Sequence, residues 1–152
     1  MNPINPNDSL DTTHALYAGT TGAGKSVATQ KVGLIKPTDQ VLFWDLYGQY
    51  KGKMFLGRQV RTYSTLKAFF KAAYEGRKTK QGFKIAFTPA KIPDGKRPKR
   101  DLYLKWCKVV WGLGDGKHSK LLHVVAEEIN RVTTTSGDED SIYGEILEVG
   151  RK

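Results

Sequence analysis

The sequence predicts an α/β fold in which helices cover both faces of a mainly parallel sheet. Short apolar runs bounded by turn residues alternate with longer segments of helical periodicity. A glycine-rich loop stands directly between the first apolar run and the first helical segment. The 152 residues suffice for one domain, and a hydrophobic content of 39% is ordinary for a globular protein. The chain contains no internal repeat and no low-complexity tract.

The first elements surround this loop. Residues 1–13 are rich in proline, asparagine and aspartate and are predicted to be an irregular lead-in, whereas residues 14–152 form the predicted domain. Residues 15–18 predict a short buried strand, and residues 25–34 predict the first helix. This helix is expected to end before Pro37, because the residue that precedes a proline disfavours helical geometry.

The later strands are predicted from apolar runs that end at turn residues. They lie at residues 41–45, 60–62, 83–87 and 121–128. Residues 46–57 contain several turn-forming residues and predict a loop.

Three further helices are predicted. Ser64 is expected to cap a helix over residues 65–76, and a second helix begins at Asp101. Residues 141–152 predict a third. Inward-facing positions on the first two are Leu66, Phe69, Phe70, Ala73, Leu102, Trp106, Val109 and Val110.

The glycine-rich loop matches a phosphate-binding motif. The pattern G-x-x-x-x-G-K-[ST] begins at Gly19 and ends at Ser26. Its glycines let backbone N–H groups turn towards phosphate oxygens, and the N-terminus of the following helix favours an anion. Lys25 is expected to reach the β- and γ-phosphates as a catalytic residue, and the Ser26 hydroxyl to bind Mg²⁺. The predicted nucleotide-binding residues are Gly19, Thr20, Thr21, Gly22, Ala23, Gly24, Lys25, Ser26 and Val27. The loop therefore predicts a site for ATP and Mg²⁺.

Two glutamates end the last apolar run, where ligands of open α/β sheets collect. We assign Glu127 to the magnesium shell and Glu128 to polarisation of the attacking water, because alternating strand geometry aims neighbouring side chains differently. A catalytic glutamate favours ATP hydrolysis over kinase or GTP-switch chemistry. The guanine-reading motif N-K-x-D is absent. Asp45, which ends the neighbouring strand, either touches the magnesium shell or caps the next turn.

Positive charge is concentrated in the middle of the chain. The net charge is +10, and residues 51–108 hold seventeen Lys and Arg against three Asp and Glu. Such a surface fits a polyanion, and the alternative is a solvated lysine-rich face. The segment KIPDGKRPKR predicts an exposed loop that grips DNA phosphates through Lys91, Lys96, Arg97, Lys99 and Arg100. A second aromatic and basic cluster comprises Tyr47, Tyr50, Lys51 and Lys53.

Cysteine and histidine usage gives no sign of a structural metal or a disulfide. Cys107 is the only cysteine, which fits a reducing compartment. The three histidines have no metal-like spacing, and His123 is expected to be packed and hydrogen-bonded in its strand. No apolar run approaches the roughly 20 residues that cross a bilayer, so a cytoplasmic location is expected.

Four stretches together resemble the FtsK–HerA superfamily of ring-forming, DNA-pumping ATPases. They are AGTTGAGKS, VLFWDLYGQY, HVVAEEINR and YGEILEVGRK. The resemblance spans about residues 14–152 and is closest to the genome-packaging ATPases of tailless, membrane-containing phages. It implies a three-layer P-loop NTPase fold of the RecA/ASCE type. Relatives often carry Glu where Gln49 stands, so no role is carried over to that position.

The resemblance also implies an assembly and a missing element. Relatives form rings, usually hexamers, with ATP at subunit interfaces and duplex DNA in the pore. A neighbour's arginine finger then acts at each site; we favour Arg151, with Arg131, Arg97 and Arg100 as alternatives. Relatives add a sensor strand after the acidic strand, and this chain ends at Lys152 before one. The expectation is therefore either a fragment that lacks its C-terminal strands or a truncated fold that turns over ATP poorly, and we favour the fragment.

The leading functional hypothesis is an ATP-hydrolysing, DNA-translocating motor that packages a viral genome. Its partners would be double-stranded DNA, further copies of the chain and capsid or membrane-vertex proteins. Its location would be the cytoplasm of an infected bacterium and the packaging vertex of the virion. Alternatives are a phage extrusion ATPase of the zonular-occludens-toxin type, a conjugative DNA-transfer ATPase, a P-loop nucleotide kinase and a non-catalytic NTP-binding scaffold.

Overall fold

A four-stranded parallel sheet forms the centre of the described part of the protein. The computed structural model describes Ala15, Ala18, residues 22–114 and residues 117–132, apart from the side chain of Asn130. The strands within these residues are β1 (Gln40–Trp44), β2 (Met54–Phe55), β3 (Arg58–Gln59), β4 (Arg61–Tyr63), β5 (Phe83–Phe87) and β6 (Leu122–Ala126). The order across the sheet is β4-β5-β1-β6, and every neighbouring pair is parallel. The predicted α/β fold with a mainly parallel sheet is confirmed.

Helices and a hairpin cover the two faces of this sheet. The helices are α1 (Lys25–Lys31), α2 (Leu66–Arg77) and α3 (Lys96–Leu113), followed by a 3₁₀ turn at Ile129–Arg131. Side chains of α2 and α3 pack with Leu42 and Trp44 on one face of β1. On the other face Val41 and Phe43 pack with residues of the β2–β3 hairpin and of the loop before it. Because both faces are covered, β1 and β5 are buried throughout, which explains their nearly continuous apolar sequences.

The helix boundaries differ from the prediction at three places. Thr65, not Ser64, caps α2, and its hydroxyl accepts a hydrogen bond from Ala68 N at 3.2 Å. Helix α1 ends at Lys31 instead of residue 34. Helix α3 begins at Lys96 instead of Asp101, although no acidic residue or side-chain cap marks that start. A helix start that lacks these signals cannot be predicted from the local sequence.

Some predicted positions are also wrong. Phe70 is 41% exposed, because its neighbour Phe69 takes the inward position on α2 and successive helical residues point about 100° apart. The predicted loop at residues 46–57 contains β2, which pairs with β3 through a two-residue turn in which both residues have positive φ. The predicted strand at residues 121–128 ends at Ala126, before the two glutamates.

Other expectations fall outside the described residues. These are the lead-in at residues 1–13, most of the strand at residues 15–18 and the helix at residues 141–152. Among the helices that the structure describes, none is long and apolar enough to cross a membrane.

The amino edge of the sheet is fastened by a buried polar network around Gln40. The Gln40 side chain is fully buried and donates to the carbonyls of Thr79 and Gln81, each at 2.9 Å. Its own oxygen accepts from Arg77 Nη1 at 2.7 Å, and the same nitrogen donates to Lys120 O at 3.0 Å. These bonds connect the end of α2 to β1 and to the segment before β6. They therefore fix the position of α2 along the strands.

Lys84 is a buried cation within β5 at this same edge. Its side chain is 1% exposed, and Nζ donates to the carbonyl of Asp39 at 2.7 Å and to those of Lys36 and Pro37 at 3.3 Å. Desolvation, with smaller contributions from Arg58 and Lys120, lowers the pKa of Lys84 to about 8. The nearby Asp39 carboxylate opposes this decrease.

This lowered pKa predicts a pH-dependent stability. The unfolded chain binds the Lys84 proton up to pH 10.5, whereas the folded protein releases it from about pH 8. The contribution of Lys84 to the free energy of unfolding should therefore rise between about pH 8 and 10.5, by up to about 3 kcal/mol, whereas the buried Cys107 thiol, whose pKa is raised to about 12, contributes a fall above pH 9. Urea unfolding at both pH values should give a change in the free energy of unfolding that is more positive in the wild type than in Lys84→Met, which keeps Cys107. An equal change in the two proteins would exclude a contribution from Lys84.

Candidate nucleotide site

Three polar residues meet at the carboxyl edge of the sheet, each directly after a strand. Asp45 follows β1, Thr88 follows β5 and Glu127 follows β6. Their backbone N–H groups continue the sheet hydrogen bonds: Asp45 N donates to Phe87 O at 3.1 Å, and Glu127 N donates to Trp44 O at 3.1 Å. The parallel register therefore places these residues side by side at the edge where ligands of open α/β sheets bind.

The glycine loop approaches this edge at the start of α1. Gly22 and Gly24 have φ of 83° and 77°, in the left-handed region that glycine adopts without strain. A Cβ added at either position would meet no atom within 4 Å. Among the described residues, the loop therefore needs these glycines for their conformation and not to avoid a clash. Ala23 and Val27 are exposed beside it, whereas Gly19, Thr20 and Thr21 lie outside the described residues.

Ser26 and Glu127 are brought into direct contact. Ser26 Oγ donates to Glu127 Oε1 at 3.2 Å, across 101 residues of sequence. A hydroxyl and a carboxylate at this separation are two oxygen ligands of the kind that Mg²⁺ binds directly or through water. Lys25, the first residue of α1, is half-buried beside Ser26. The predicted phosphate, metal and acidic residues thus lie together at one edge.

A tyrosine that the sequence did not assign to this site also contacts Glu127. Tyr50 Oη donates to the same carboxylate oxygen at 2.5 Å. Burial, and then the hydrogen bond to Glu127, raises the pKa of the Tyr50 phenol above its usual range, so the hydroxyl is the donor at neutral pH. Tyr50 is only 4% exposed, so it does not belong to the DNA-facing aromatic cluster predicted with Tyr47, Lys51 and Lys53.

Asp45 caps the turn that carries Tyr50. Its buried carboxylate accepts from Gln49 N at 2.7 Å and from Tyr50 N at 2.9 Å. It also accepts from the Thr88 hydroxyl at 3.3 Å. Of the two alternatives for Asp45, a magnesium ligand or a turn cap, the described contacts match the cap. Gln49 contributes its backbone N–H to this turn, which any residue could supply.

Glu128 points to a different environment from Glu127. It follows the strand with a φ of 54°, in the left-handed region, and its Oε2 lies 3.8 Å from Arg131 Nε. The divergence of the two glutamates therefore arises from this turn, not from the strand alternation that the sequence suggested. Arg131 is well exposed, and Arg151 lies outside the described residues.

The basic segment is the start of a helix and not the exposed loop predicted. Lys91 precedes α3, whereas Lys96, Arg97, Lys99 and Arg100 occupy its first turn and the residue after it. Lys91, Lys96 and Arg97 are exposed, and Lys99 is half-buried. Arg100 Nη1 donates to Val132 O at 3.5 Å, so this residue also braces the turn after β6.

The two histidines among the described residues, His118 and His123, make structural contacts. His123 on β6 is half-buried, and its Nε2 lies 3.3 Å from Asp39 Oδ2. Burial lowers the pKa of His123, while the Asp39 carboxylate opposes the decrease. Among the described residues, no group of three or more His, Cys, Asp and Glu side chains could hold a metal ion.

Comparison with protein-family models, with curated protein sequences and with solved structures finds no match to this chain. The function of this chain is therefore inferred from the geometry of the carboxyl edge.

Proposed function

We propose that this protein is an ATP-hydrolysing motor that moves double-stranded DNA, and that it packages a viral genome into a procapsid. The contact between the Ser26 hydroxyl and the Glu127 carboxylate at 3.2 Å carries the proposal. It joins the phosphate-loop residue that would bind Mg²⁺ to an acidic residue at the end of a neighbouring parallel strand, which is the arrangement that ATP hydrolysis on this kind of loop requires.

The residues at this edge divide the chemistry between them. The glycine loop and Lys25 would bind the phosphates and stabilise the charge that develops on the transferred phosphoryl group. Ser26 and Glu127 would hold Mg²⁺, directly and through water. Glu128 would orient and polarise the attacking water. An arginine from a neighbouring subunit of a ring would complete the site, as the resemblance to DNA-pumping ATPases implies.

The basic residues at the start of α3 support DNA as the polymer that the motor moves. Helix N-termini favour negative charge, yet the first turn of α3 carries basic residues and no acidic one. A bound phosphate would interact favourably with both the helix dipole and the side chains of Lys96 and Arg97. The same segment follows Thr88, whose hydroxyl contacts Asp45 at the nucleotide edge. Contacts to phosphates alone provide the sequence-independent grip that translocation needs.

The test is ATP hydrolysis with and without duplex DNA at low salt. We expect DNA to stimulate the wild type several-fold and Lys96→Glu/Arg97→Glu to lose this stimulation while it keeps its basal rate. The matched control is Lys67→Glu/Lys71→Glu, which makes the same charge change at exposed positions of α2 and should keep the stimulation. Consumption of ATP that DNA does not stimulate, but that requires a nucleoside acceptor, would contradict the motor and indicate a nucleotide kinase.

A further inference from the structure

We infer that Tyr50 is a positioning residue that holds the Glu127 carboxylate in place for magnesium. The inference rests on the proposed ATP site and adds a residue to it. Tyr50 Oη and Ser26 Oγ both donate to Oε1 of Glu127, at 2.5 Å and 3.2 Å. In the described residues these are the two side-chain donors to that carboxylate.

The hydrogen bonds that Ser26 and Tyr50 donate to Glu127 would respond differently to the binding of Mg²⁺ and ATP. The Ser26 oxygen would become a ligand of bound Mg²⁺, and its hydrogen bond to Glu127 would then be lost or weakened. Tyr50 is not expected to compete for the metal, because an ordinary phenol is neutral and a hydrogen-bond donor at neutral pH, whereas Mg²⁺ prefers carboxylate, phosphate and water oxygens. The tyrosine is therefore the contact that would keep the glutamate oriented throughout the reaction. Groups that orient a metal-binding carboxylate strongly influence metal affinity.

Tyr50 is itself rigidly placed. Its ring packs against Phe43, with centroids 4.6 Å apart, and against Phe55, with centroids 5.9 Å apart. Its backbone N–H donates to the buried Asp45 carboxylate. The ring and the backbone are thus fixed independently of the hydroxyl, so removal of the oxygen alone should leave the fold intact. The ring therefore contributes to the core, whereas the hydroxyl contributes to the orientation of Glu127.

The experiment measures the Mg²⁺ concentration that gives half-maximal ATP hydrolysis in Tyr50→Phe. We expect it to rise about tenfold, with the rate at saturating Mg²⁺ staying within about threefold of the wild type. Tyr103→Phe is the matched control, since Tyr103 is equally buried but lies in α3 within the opposite core. It should leave the Mg²⁺ requirement unchanged. An unchanged requirement in Tyr50→Phe would overturn the inference.

A double substitution tests whether Tyr50 acts through Glu127. In the Glu127→Gln background, Tyr50→Phe should add no further change to the Mg²⁺ dependence of ATP binding. A second rise of the same size would show that Tyr50 acts independently, and the inference would fail. If the wild type neither binds nor hydrolyses ATP, the proposed function fails and the inference fails with it. If the wild type does both and Tyr50→Phe matches it, the inference alone fails.

Discussion

Replacing Lys25 with alanine should reduce ATP hydrolysis by about 10²–10³-fold, because in the proposed site it would remove the cation that stabilises the developing charge on the β- and γ-phosphates. Lys25 begins α1 next to Ser26, whose hydroxyl contacts Glu127. In the proposed site, this position at the first turn would bring the ammonium to the phosphates. Steady-state hydrolysis at saturating Mg²⁺ measures the effect.

The control for this substitution lies on the same helix. Lys31 is an exposed lysine in the last turn of α1, away from the loop. Lys31→Ala makes the same chemical change and should keep hydrolysis within about twofold of the wild type, as surface substitutions usually do. Equal losses in the two variants would mean that α1 depends on both lysines for its structure, and Lys25 would lose its special role.

Replacing Glu127 with glutamine should reduce hydrolysis by about 10²-fold at a fixed, moderate Mg²⁺ concentration. The substitution preserves shape but would remove the negative charge next to the proposed metal, and a bound metal ion is worth several kcal/mol of transition-state stabilisation. Part of the loss should return when Mg²⁺ is raised, because the defect is one of metal affinity. A loss that no Mg²⁺ concentration changes would assign Glu127 to water activation instead.

The core strands could be predicted because both of their faces are covered, which requires an almost continuously apolar sequence. Strand β5 was predicted with both of its bounds, since residues 83–87 are buried on two covered faces and end at Thr88-Pro89. The single polar residue in that run, Lys84, is tolerated because three carbonyls surround its ammonium. An apolar run between turn residues thus carries enough information for a buried parallel strand.

The start of α3 could not be predicted, for the opposite reason. Gly95 provides no side-chain cap, and the first turn is basic where helix dipoles favour acids. The helix forms nevertheless because Tyr103, Trp106 and Cys107 are buried against the sheet. Tertiary packing therefore determines an element that local signals argue against.

The site was predictable only to the extent that a motif defines it. The phosphate loop and the acidic strand end identified Ser26 and Glu127, which the parallel sheet then brings within 3.2 Å. The contact between Tyr50 and Glu127 could not be predicted, because it depends on the turn that Asp45 caps. In the sequence, a buried tyrosine next to lysines cannot be distinguished from an exposed one. The capped turn between Asp45 and Tyr50 was the available signal, and it fixes where the hydroxyl points.

The central claim is that Ser26 and Glu127 form one magnesium–nucleotide site, and calorimetric titration of ATP with Mg²⁺ or with EDTA tests it most directly. We expect Mg²⁺ to tighten ATP binding to the wild type by about tenfold or more. Glu127→Gln should lose most of this gain. Glu128→Gln should keep it, since that neighbouring glutamate faces Arg131. Equal affinities for ATP in Mg²⁺ and in EDTA in the wild-type protein would contradict the account.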